Sequence, residues 1–218
     1  MHDEGEGTPE NNEQAIYWYT KAAEQGVASS QYNLAHMYDS GEGMAENNKQ
    51  AIYWYTQAAE QGHTSAQYNV ALMYDEGEGI PEDNKQAIYW YTQAAEQEHS
   101  SAQFNLAIMH DEGEGIPEDN KQAIYWYTQA AEQGHSSAQY NLAIMYDEGE
   151  GIPVDDKKAV YWYTQSAEQG DDDAQYNLAI MYDNGEGVKE DDDKAIFWYT
   201  KAAEQGNEDA IHNLSLMR

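Results

Sequence analysis

The sequence contains no cysteine and few basic residues, and each shortage excludes a class of function. Without cysteine the chain forms neither disulfides nor thiolate metal sites. Lysine and arginine number 10 against 41 aspartate and glutamate residues, which gives a formal net charge of −31 at pH 7. Such a field repels phosphate backbones and anionic lipids, so we expect no nucleic acid partner and no membrane surface. A basic protein surface is the natural complement.

Long apolar stretches are also missing. No run approaches the ~20 apolar residues that span a bilayer, so we expect no membrane insertion. The acidic start Met1–Gly5 lacks the basic and then apolar pattern of a secretory signal. The compartment stays open between a bacterial cytoplasm and export as part of a longer parent. Met1–Gly7 has the same residues as Met109–Gly115, and neither end shows a polar capping repeat. We therefore expect a piece of a longer array, with edges suited to end-to-end self-association.

The sequence does contain an internal repeat. Its tryptophans recur 36 residues apart, at Trp18, Trp54, Trp90, Trp126, Trp162 and Trp198. Each lies in the phrase Ala-Ile-Tyr-Trp-Tyr-Thr or a close variant, and six copies cover the chain without insertions. Each copy contains two amphipathic helical patterns, and such a pair buries its apolar face only by stacking on its neighbours. The sequence therefore predicts an all-α solenoid of six 36-residue, two-helix repeats, as a single domain over residues 1–218.

The fourth copy illustrates the helical pattern. Its first apolar face consists of Ala123, Trp126, Tyr127, Ala130 and Ala131, and its second consists of Ala138, Leu142, Met145 and Tyr146. Asp119 with Gln122, and Ser136 with Gln139, are predicted capping boxes, and Gly134 is a predicted helix stop. The pattern predicts outer helices at about 12–25, 48–61, 84–97, 120–133, 156–169 and 192–205. It predicts inner helices at about 29–39, 65–75, 101–111, 137–147, 173–183 and 209–217.

These apolar positions, together with Gly149, Gly151 and Ile152, recur through the copies, and in this the sequence resembles the Sel1-like repeat family, relatives of the tetratricopeptide repeats. The resemblance implies a right-handed superhelix in which the inner helices line the concave face. It also implies an adaptor or scaffold role. One departure is Glu98, which stands where Gly62 and Gly134 end other helices. Either that helix end adopts another geometry, or the joint is weaker by about 1 kcal/mol.

Motifs for catalysis are missing. The sequence has no G-x-x-x-x-G-K-[ST] phosphate loop and no H-E-x-x-H zinc motif. The acidic loop Asp147–Ile152 places glycines where an EF-hand needs oxygen ligands, which favours a solubilising loop over a weak divalent-ion site. His63, His99 and His135 lie in turns, one repeat apart, where we expect them to face solvent and to be too distant to share a metal. We therefore predict a protein that is not an enzyme and has no cofactor and no metal.

The inner helices carry the candidate binding residues. Asparagine is a poor helix former, yet it recurs here at Asn33, Asn69, Asn105, Asn141 and Asn177. Its amide suits a bound peptide backbone and equally suits a structural hydrogen bond to the adjacent repeat, so both interpretations remain open. Beside it lie Tyr32, Tyr68, Phe104, Tyr140 and Tyr176, and one turn further lie apolar residues such as Ile108 and Ile144. We predict that these rows form the floor of a groove, although stacking of the repeats could bury part of them.

Acidic residues and a second row of aromatic residues also recur through the copies. Acidic residues at the inner helix ends (Asp75, Asp111, Asp147 and Asp183) would form a negative rim, so the predicted partner is a basic peptide or protein segment. On the outer helices a second aromatic row (Tyr17, Tyr53, Tyr89, Tyr125, Tyr161 and Phe197) is predicted to pack repeat against repeat, with a second contact face as the alternative.

The alternatives to an interaction scaffold are an acidic, salt-adapted spacer without a ligand and an engineered or consensus-like array.

Overall fold

The computed structural model describes residues 9–217, and these contain twelve α-helices and no β-strand. The predicted all-α class is therefore confirmed, and the repeated segment Met1–Gly7 lies outside the described residues. The tryptophan-bearing helices are α1 (Pro9–Ala23), α3 (Asn48–Ala59), α5 (Asn84–Ala95), α7 (Asn120–Glu132), α9 (Asp156–Glu168) and α11 (Asp192–Glu204). The asparagine-bearing helices are α2 (Ala28–Ser40), α4 (Thr64–Glu76), α6 (Ser100–Glu112), α8 (Ser136–Glu148), α10 (Asp172–Asn184) and α12 (Glu208–Leu216).

The chain forms two compact units. The first comprises Met1–Ala102 with Glu114–Ile116, and the second comprises Gln103–Gly113 with Pro117–Arg218. Within the second unit, one core cluster joins α6, α7 and α8 around Tyr127 and Leu142. A second cluster joins α8, α9 and α10 around Tyr163 and Leu178. Within the second unit, these helix pairs thus complete their cores with the pair that follows.

In α7 the predicted cap residue Asp119 and the predicted stop Gly134 are confirmed, but the reciprocal half of the capping box is not formed, because the Asp119 N–H donates to the His110 carbonyl at 2.8 Å. The Asp119 carboxylate accepts hydrogen bonds from the backbone N–H groups of Lys121 (3.1 Å) and Gln122 (3.2 Å). These are among the donors that a helix start leaves without an internal partner. At the other end Gly134 has φ 88°, a left-handed conformation that glycine adopts without steric cost.

The predicted capping box of α8 is wrong. The residue that caps the helix is His135, whose Nδ1 accepts a hydrogen bond from the Ala138 N–H at 3.3 Å. Ser136 is already the first helical residue, and Gln139 is buried. The sequence pattern was misleading because serine is a common cap, whereas histidine caps only when its ring nitrogen is unprotonated.

Steric contact explains the glycines of the acidic loop after α8. Gly149 ends the helix with φ 77°. A side chain at Gly151 would collide with Asn120 at the start of α7, so this loop lies against the preceding tryptophan-bearing helix. The spacing of the two glycines therefore reflects a helix stop followed by a close approach.

Glu98 keeps the geometry that glycine adopts in the other repeats. Its φ is 63°, the only positive φ of a non-glycine residue among the described residues. A Cβ at the equivalent Gly62 or Gly134 would meet no atom within 4 Å, so a side chain fits there without a clash. The cost of Glu98 is thus the backbone strain itself, about 1 kcal/mol.

Tyrosine, leucine, methionine and alanine form the core. Tyr127 and Leu142 are almost completely buried, as are their counterparts in neighbouring repeats. Trp162 packs against both core clusters of the second unit, so it closes the joint between consecutive repeats. Among the described residues, no helix is both long enough and apolar enough to cross a bilayer.

Candidate functional site

The recurring asparagines form structural hydrogen bonds and remain partly accessible. In the fourth repeat the Asn141 amide donates to the Tyr127 hydroxyl at 3.0 Å, and in the last repeat Asn213 donates to Tyr199 at 3.1 Å. The side chain of Asn141 is half-buried, and so are those of Asn33, Asn69, Asn105 and Asn177. The structural bond therefore exists, and it leaves part of each amide at the surface.

Each buried tyrosine continues the network to an acidic residue. The Tyr127 hydroxyl donates to Asp111 at 3.2 Å, and Tyr91 donates to Asp75 at 3.0 Å. Burial raises the pKa of Asp111 above its ordinary value, while the bond from Tyr127 opposes that shift. The predicted acidic rim is thus half-buried and fixed in place, because asparagine, tyrosine and aspartate on three successive helices are hydrogen-bonded together.

The aromatic row of the asparagine-bearing helices packs into the joints between repeats. Tyr32 lies 5.7 Å from Tyr55 between ring centroids and stacks on His63 at 4.6 Å. Phe104 contacts Tyr127 and His135 in the same way, at 6.0 and 4.5 Å. The row is half-buried throughout, and its members are Tyr32, Tyr68, Phe104, Tyr140 and Tyr176. Stacking on a histidine covers one face of the Tyr32, Tyr68 and Phe104 rings, whereas Tyr140 and Tyr176 make only the tilted contact with the buried tyrosine of the next repeat.

The expectation that His63, His99 and His135 face solvent is wrong. Each is half-buried, stacks on an aromatic ring of the preceding repeat and caps a helix through Nδ1. Burial lowers the pKa of all three imidazoles below the ordinary value. A protonated Nδ1 is a donor, so the cap requires the neutral ring.

These caps predict a loss of stability in mild acid. In the unfolded chain the three imidazoles take up protons near pH 6.5, whereas in the folded chain they do so only at a lower pH. The stabilisation that the neutral histidine caps provide is therefore complete above about pH 6.5, and it is lost as the pH falls through the lowered pKa of the folded-state imidazoles. Urea unfolding at pH 7.5 and pH 5.5 would measure it, with a His63→Asn, His99→Asn, His135→Asn variant as control.

The asparagine variant keeps a side chain that can cap each helix. In the last repeat Asn207 stands where His135 stands in the fourth, and its side-chain oxygen accepts a hydrogen bond from the Ala210 N–H at 3.0 Å. Burial raises the pKa of carboxyls such as Asp75 and Asp147, and these groups favour the folded state in acid, with the opposite sign. They are present in both proteins, so the histidine contribution is the difference between them. We expect the wild type to lose more stability on acidification than the variant. Equal losses would contradict the assignment.

The apolar positions one turn after the asparagines lie at the same face. Ile108 and Ile144 are half-buried and pack against the core clusters of the second unit. In the first unit, Asn33 and His36 line an open hollow of about 220 Å³ together with Tyr19 and Glu42. The predicted residues of a repeat therefore share one partly accessible surface, which we call the asparagine face.

The second aromatic row does not pack repeat against repeat, contrary to the expectation from its spacing. Its six residues are between 51% and 55% exposed. Each ring makes an edge contact with the tryptophan that follows it, as in Tyr125 and Trp126, whose centroids lie 4.7 Å apart. The tryptophan, rather than the tyrosine before it, reaches the joint, so this row is an exposed aromatic surface.

Sequence reasoning missed a row of buried glutamines. Gln139 is 4% exposed, donates to the Ala131 carbonyl at 3.0 Å and accepts from Gln169 at 2.7 Å. The same pair recurs as Gln31 with Gln61 at 2.6 Å. A signal was present, because a polar residue that recurs in five of the six copies indicates a required partner. Through these bonds the buried glutamines connect consecutive repeats.

The surface electrostatics remain strongly negative. The ion pairs of the described residues are four exposed contacts within single helices or their caps, such as Lys158 with Asp155 at 4.0 Å. Within residues 9–217, no group of three or more histidine and acidic side chains is placed to hold a metal ion. The acidity therefore acts as a general field around the described repeats.

Comparisons with known proteins agree on one family. The family model described as Sel1 repeat matches residues 1–27, 28–63, 64–99, 100–135, 136–171 and 172–207. No curated protein matches the chain. Among solved structures, the chain is similar to c5321 of uropathogenic Escherichia coli, a protective antigen with an SLR fold, at 38% identity and a TM-score of 0.91. That match covers 94% of this chain and 44% of the antigen, so the chain spans less than half of it.

A Sel1 repeat protein of Oxalobacter formigenes is 37% identical, with a TM-score of 0.83, and the match covers 94% of this chain and 82% of that protein. A sel1 repeat protein of Klebsiella pneumoniae is 25% identical over 93% and 98% of the two chains, with a TM-score of 0.53. These structures and the repeat matches agree with an all-α repeat solenoid.

Proposed function

Because the chain belongs to the Sel1 repeat family, whose members generally act as scaffolds for protein–protein interactions, we propose that it is a non-enzymatic adaptor that binds a basic segment on its asparagine face. The observation that carries this proposal is that half-buried asparagine and aromatic side chains recur on the asparagine-bearing helices, with Ile108 and Ile144 one turn further along. A family role alone would leave the surface and the partner unspecified.

Two properties of the asparagine face support a peptide ligand. The amide of Asn141 is fixed by its bond to Tyr127, so a ligand backbone would meet an ordered group at little entropic cost. Tyr140 and Ile144 lie one turn apart on the same helix and offer apolar area beside it. Polar amides that lie beside apolar side chains on the asparagine face suit a peptide ligand in an extended conformation.

Charge supports a basic ligand. The formal charge of −31 would attract a basic segment over long range and repel an acidic one. Asp111 and Asp147 lie at the ends of α6 and α8, beside the apolar positions of the same helices. We expect the affinity to fall with rising salt, because screening weakens this attraction.

A charge placed on the asparagine face tests the proposal. In an Ile108→Lys, Ile144→Lys variant, two ammonium groups would face the ligand, while their long side chains keep the apolar stems in contact with the core. We expect fluorescein-labelled basic peptides to bind the native chain, and the variant to bind them at least about tenfold more weakly. Fluorescence anisotropy would measure both, with acidic peptides of equal length as the negative probe.

The matched control adds the same charge elsewhere. Gln86 and Gln122 are exposed, and Lys158 and Lys194 occupy the equivalent position in later repeats, so a Gln86→Lys, Gln122→Lys variant should fold normally. We expect it to bind basic peptides nearly as well as the native chain. Equal weakening of peptide binding in both variants would show that the added net charge, rather than its position on the asparagine face, causes the loss. Binding of neither peptide class to the native chain would favour the acidic spacer.

A further inference from the structure

Two equivalent hollows lie on the tryptophan side of the repeats, away from the asparagine face. Each has a volume of about 330 Å³. The hollow in the second unit lies between the end of α7 and the middle of the next tryptophan-bearing helix, α9. Its walls include Glu132, Gly134, Tyr161, Trp162 and Gln165. The hollow in the first unit has the same residue types three repeats earlier, at Glu24, Gly26, Tyr53, Trp54 and Gln57, but there Glu24 already pairs with Lys21 at 3.3 Å.

One wall of the hollow is aromatic. Tyr161 is 54% exposed and meets Trp162 edge to face, with ring centroids 4.7 Å apart and an interplanar angle of 74°. Tyr53 is 52% exposed and meets Trp54 in the same geometry, at 4.9 Å and 75°. Aromatic faces attract cations through the ring quadrupole, and tryptophan does so most strongly.

The opposite wall is negative. It is the C-terminal end of α7, which carries the negative end of the helix dipole, although the Ala130 and Ala131 carbonyls there already accept hydrogen bonds from within the protein. Glu132 adds an exposed carboxylate at the same end, and Gln165 faces it from α9 with an amide that also offers an acceptor oxygen. The hollow thus combines π faces with several acceptors and a negative charge.

We propose that each hollow binds the guanidinium group of an arginine side chain presented by a partner protein. Guanidinium is planar, so it stacks on an aromatic face while its five N–H groups fork toward carbonyl and carboxylate oxygens. A lysine ammonium carries the same charge but is compact and strongly hydrated, and it cannot stack. The repetition of the hollow would allow one arginine-rich partner to occupy several sites.

The last repeat provides a natural contrast. Phe197 and Lys201 stand where Tyr161 and Gln165 line the hollow of the second unit. Lys201 pairs with Glu204 at 3.4 Å, so this position brings its own cation. We expect the surface beside Trp198 to bind arginine poorly, which makes this tryptophan an internal reference.

The test uses the full chain labelled with 5-fluorotryptophan, whose six fluorine resonances are assigned by single Trp→Phe substitutions. The probe is N-acetyl-arginine amide, with N-acetyl-lysine amide at equal ionic strength for comparison. We expect arginine to shift the resonances of Trp54 and Trp162 in a saturable manner, with smaller shifts from lysine and from either probe at Trp198. Equal shifts at all tryptophans, equal shifts from both probes, or no shift would overturn the proposal.

Variants of one hollow leave the other as a control within the same molecule. Gln165→Lys copies the last repeat, and Tyr161→Ala removes an exposed ring, so neither disturbs the core. Each should weaken arginine binding at Trp162 by about two- to fivefold or more and leave Trp54 unchanged. Unchanged binding at Trp162 in both variants would overturn the assignment of the site. The Ile108→Lys, Ile144→Lys variant should leave both hollows unaffected, so failure of either proposal is recognised separately.

Discussion

Replacement of Tyr127 by alanine is expected to lower the free energy of unfolding by about 3–5 kcal/mol. Tyr127 is 1% exposed, so truncation leaves a cavity in the core cluster around Leu142. It also removes the hydroxyl that joins Asn141 to Asp111. Urea unfolding followed by circular dichroism would measure the change.

The matched control is Tyr125, two residues earlier on the same helix. It is 51% exposed and contacts Trp126 at the surface, so Tyr125→Ala should change stability by less than about 1 kcal/mol. A Tyr127→Phe variant fills the cavity but lacks the hydroxyl, and should cost about 1–3 kcal/mol through the unpaired groups alone. Similar effects for Tyr127→Ala and Tyr125→Ala would contradict the assignment of the two rows to core and surface.

Replacement of Gln139 by alanine is the second large effect, at about 1–3 kcal/mol of lost stability. Its amide nitrogen satisfies the Ala131 carbonyl, and its oxygen accepts from Gln169, so truncation leaves both groups without this partner. Alanine is the better helix former, so a loss of stability would come from the hydrogen bonds and packing of the buried side chain rather than from helix propensity. The same urea titration would measure it.

Gln122→Ala is the control for this substitution, since Gln122 is exposed on the preceding helix. We expect it to leave the unfolding midpoint unchanged or slightly raised. If Gln139→Ala proved as mild as Gln122→Ala, the buried glutamine row would have no structural importance.

Much of the fold is predictable from the sequence because the same signals recur in six copies. The spacing of Trp126 and Trp162 sets the length of the repeat, and Asp119 and Gly134 mark the ends of one helix. These are local rules of capping and periodicity that depend little on neighbouring repeats. The identity of the second cap was missed because His135 must be neutral and stacked before it can accept a hydrogen bond.

The candidate site was less accessible to sequence reasoning, because helical periodicity does not show which neighbour covers a given face. Tyr127 and Tyr125 have the same residue type and lie two positions apart, yet one is in the core and the other is exposed. The sequence did not decide whether Asn141 contacts a ligand or forms a structural hydrogen bond. In the structure its amide donates a structural hydrogen bond to Tyr127 and remains partly accessible. The hollows beside Trp54 and Trp162 arise only when consecutive repeats stack.

The central claim is that a basic segment binds along the asparagine face, and the side-chain amide resonances of the asparagines test it most directly. The full chain, labelled with ¹⁵N, would be titrated with the tightest-binding basic peptide from the anisotropy measurement. We predict that the amide groups of Asn69, Asn141 and Asn177 shift in a saturable manner, together with the backbone of Ile108 and Ile144. Peptide binding that leaves these amides unchanged would contradict the claim.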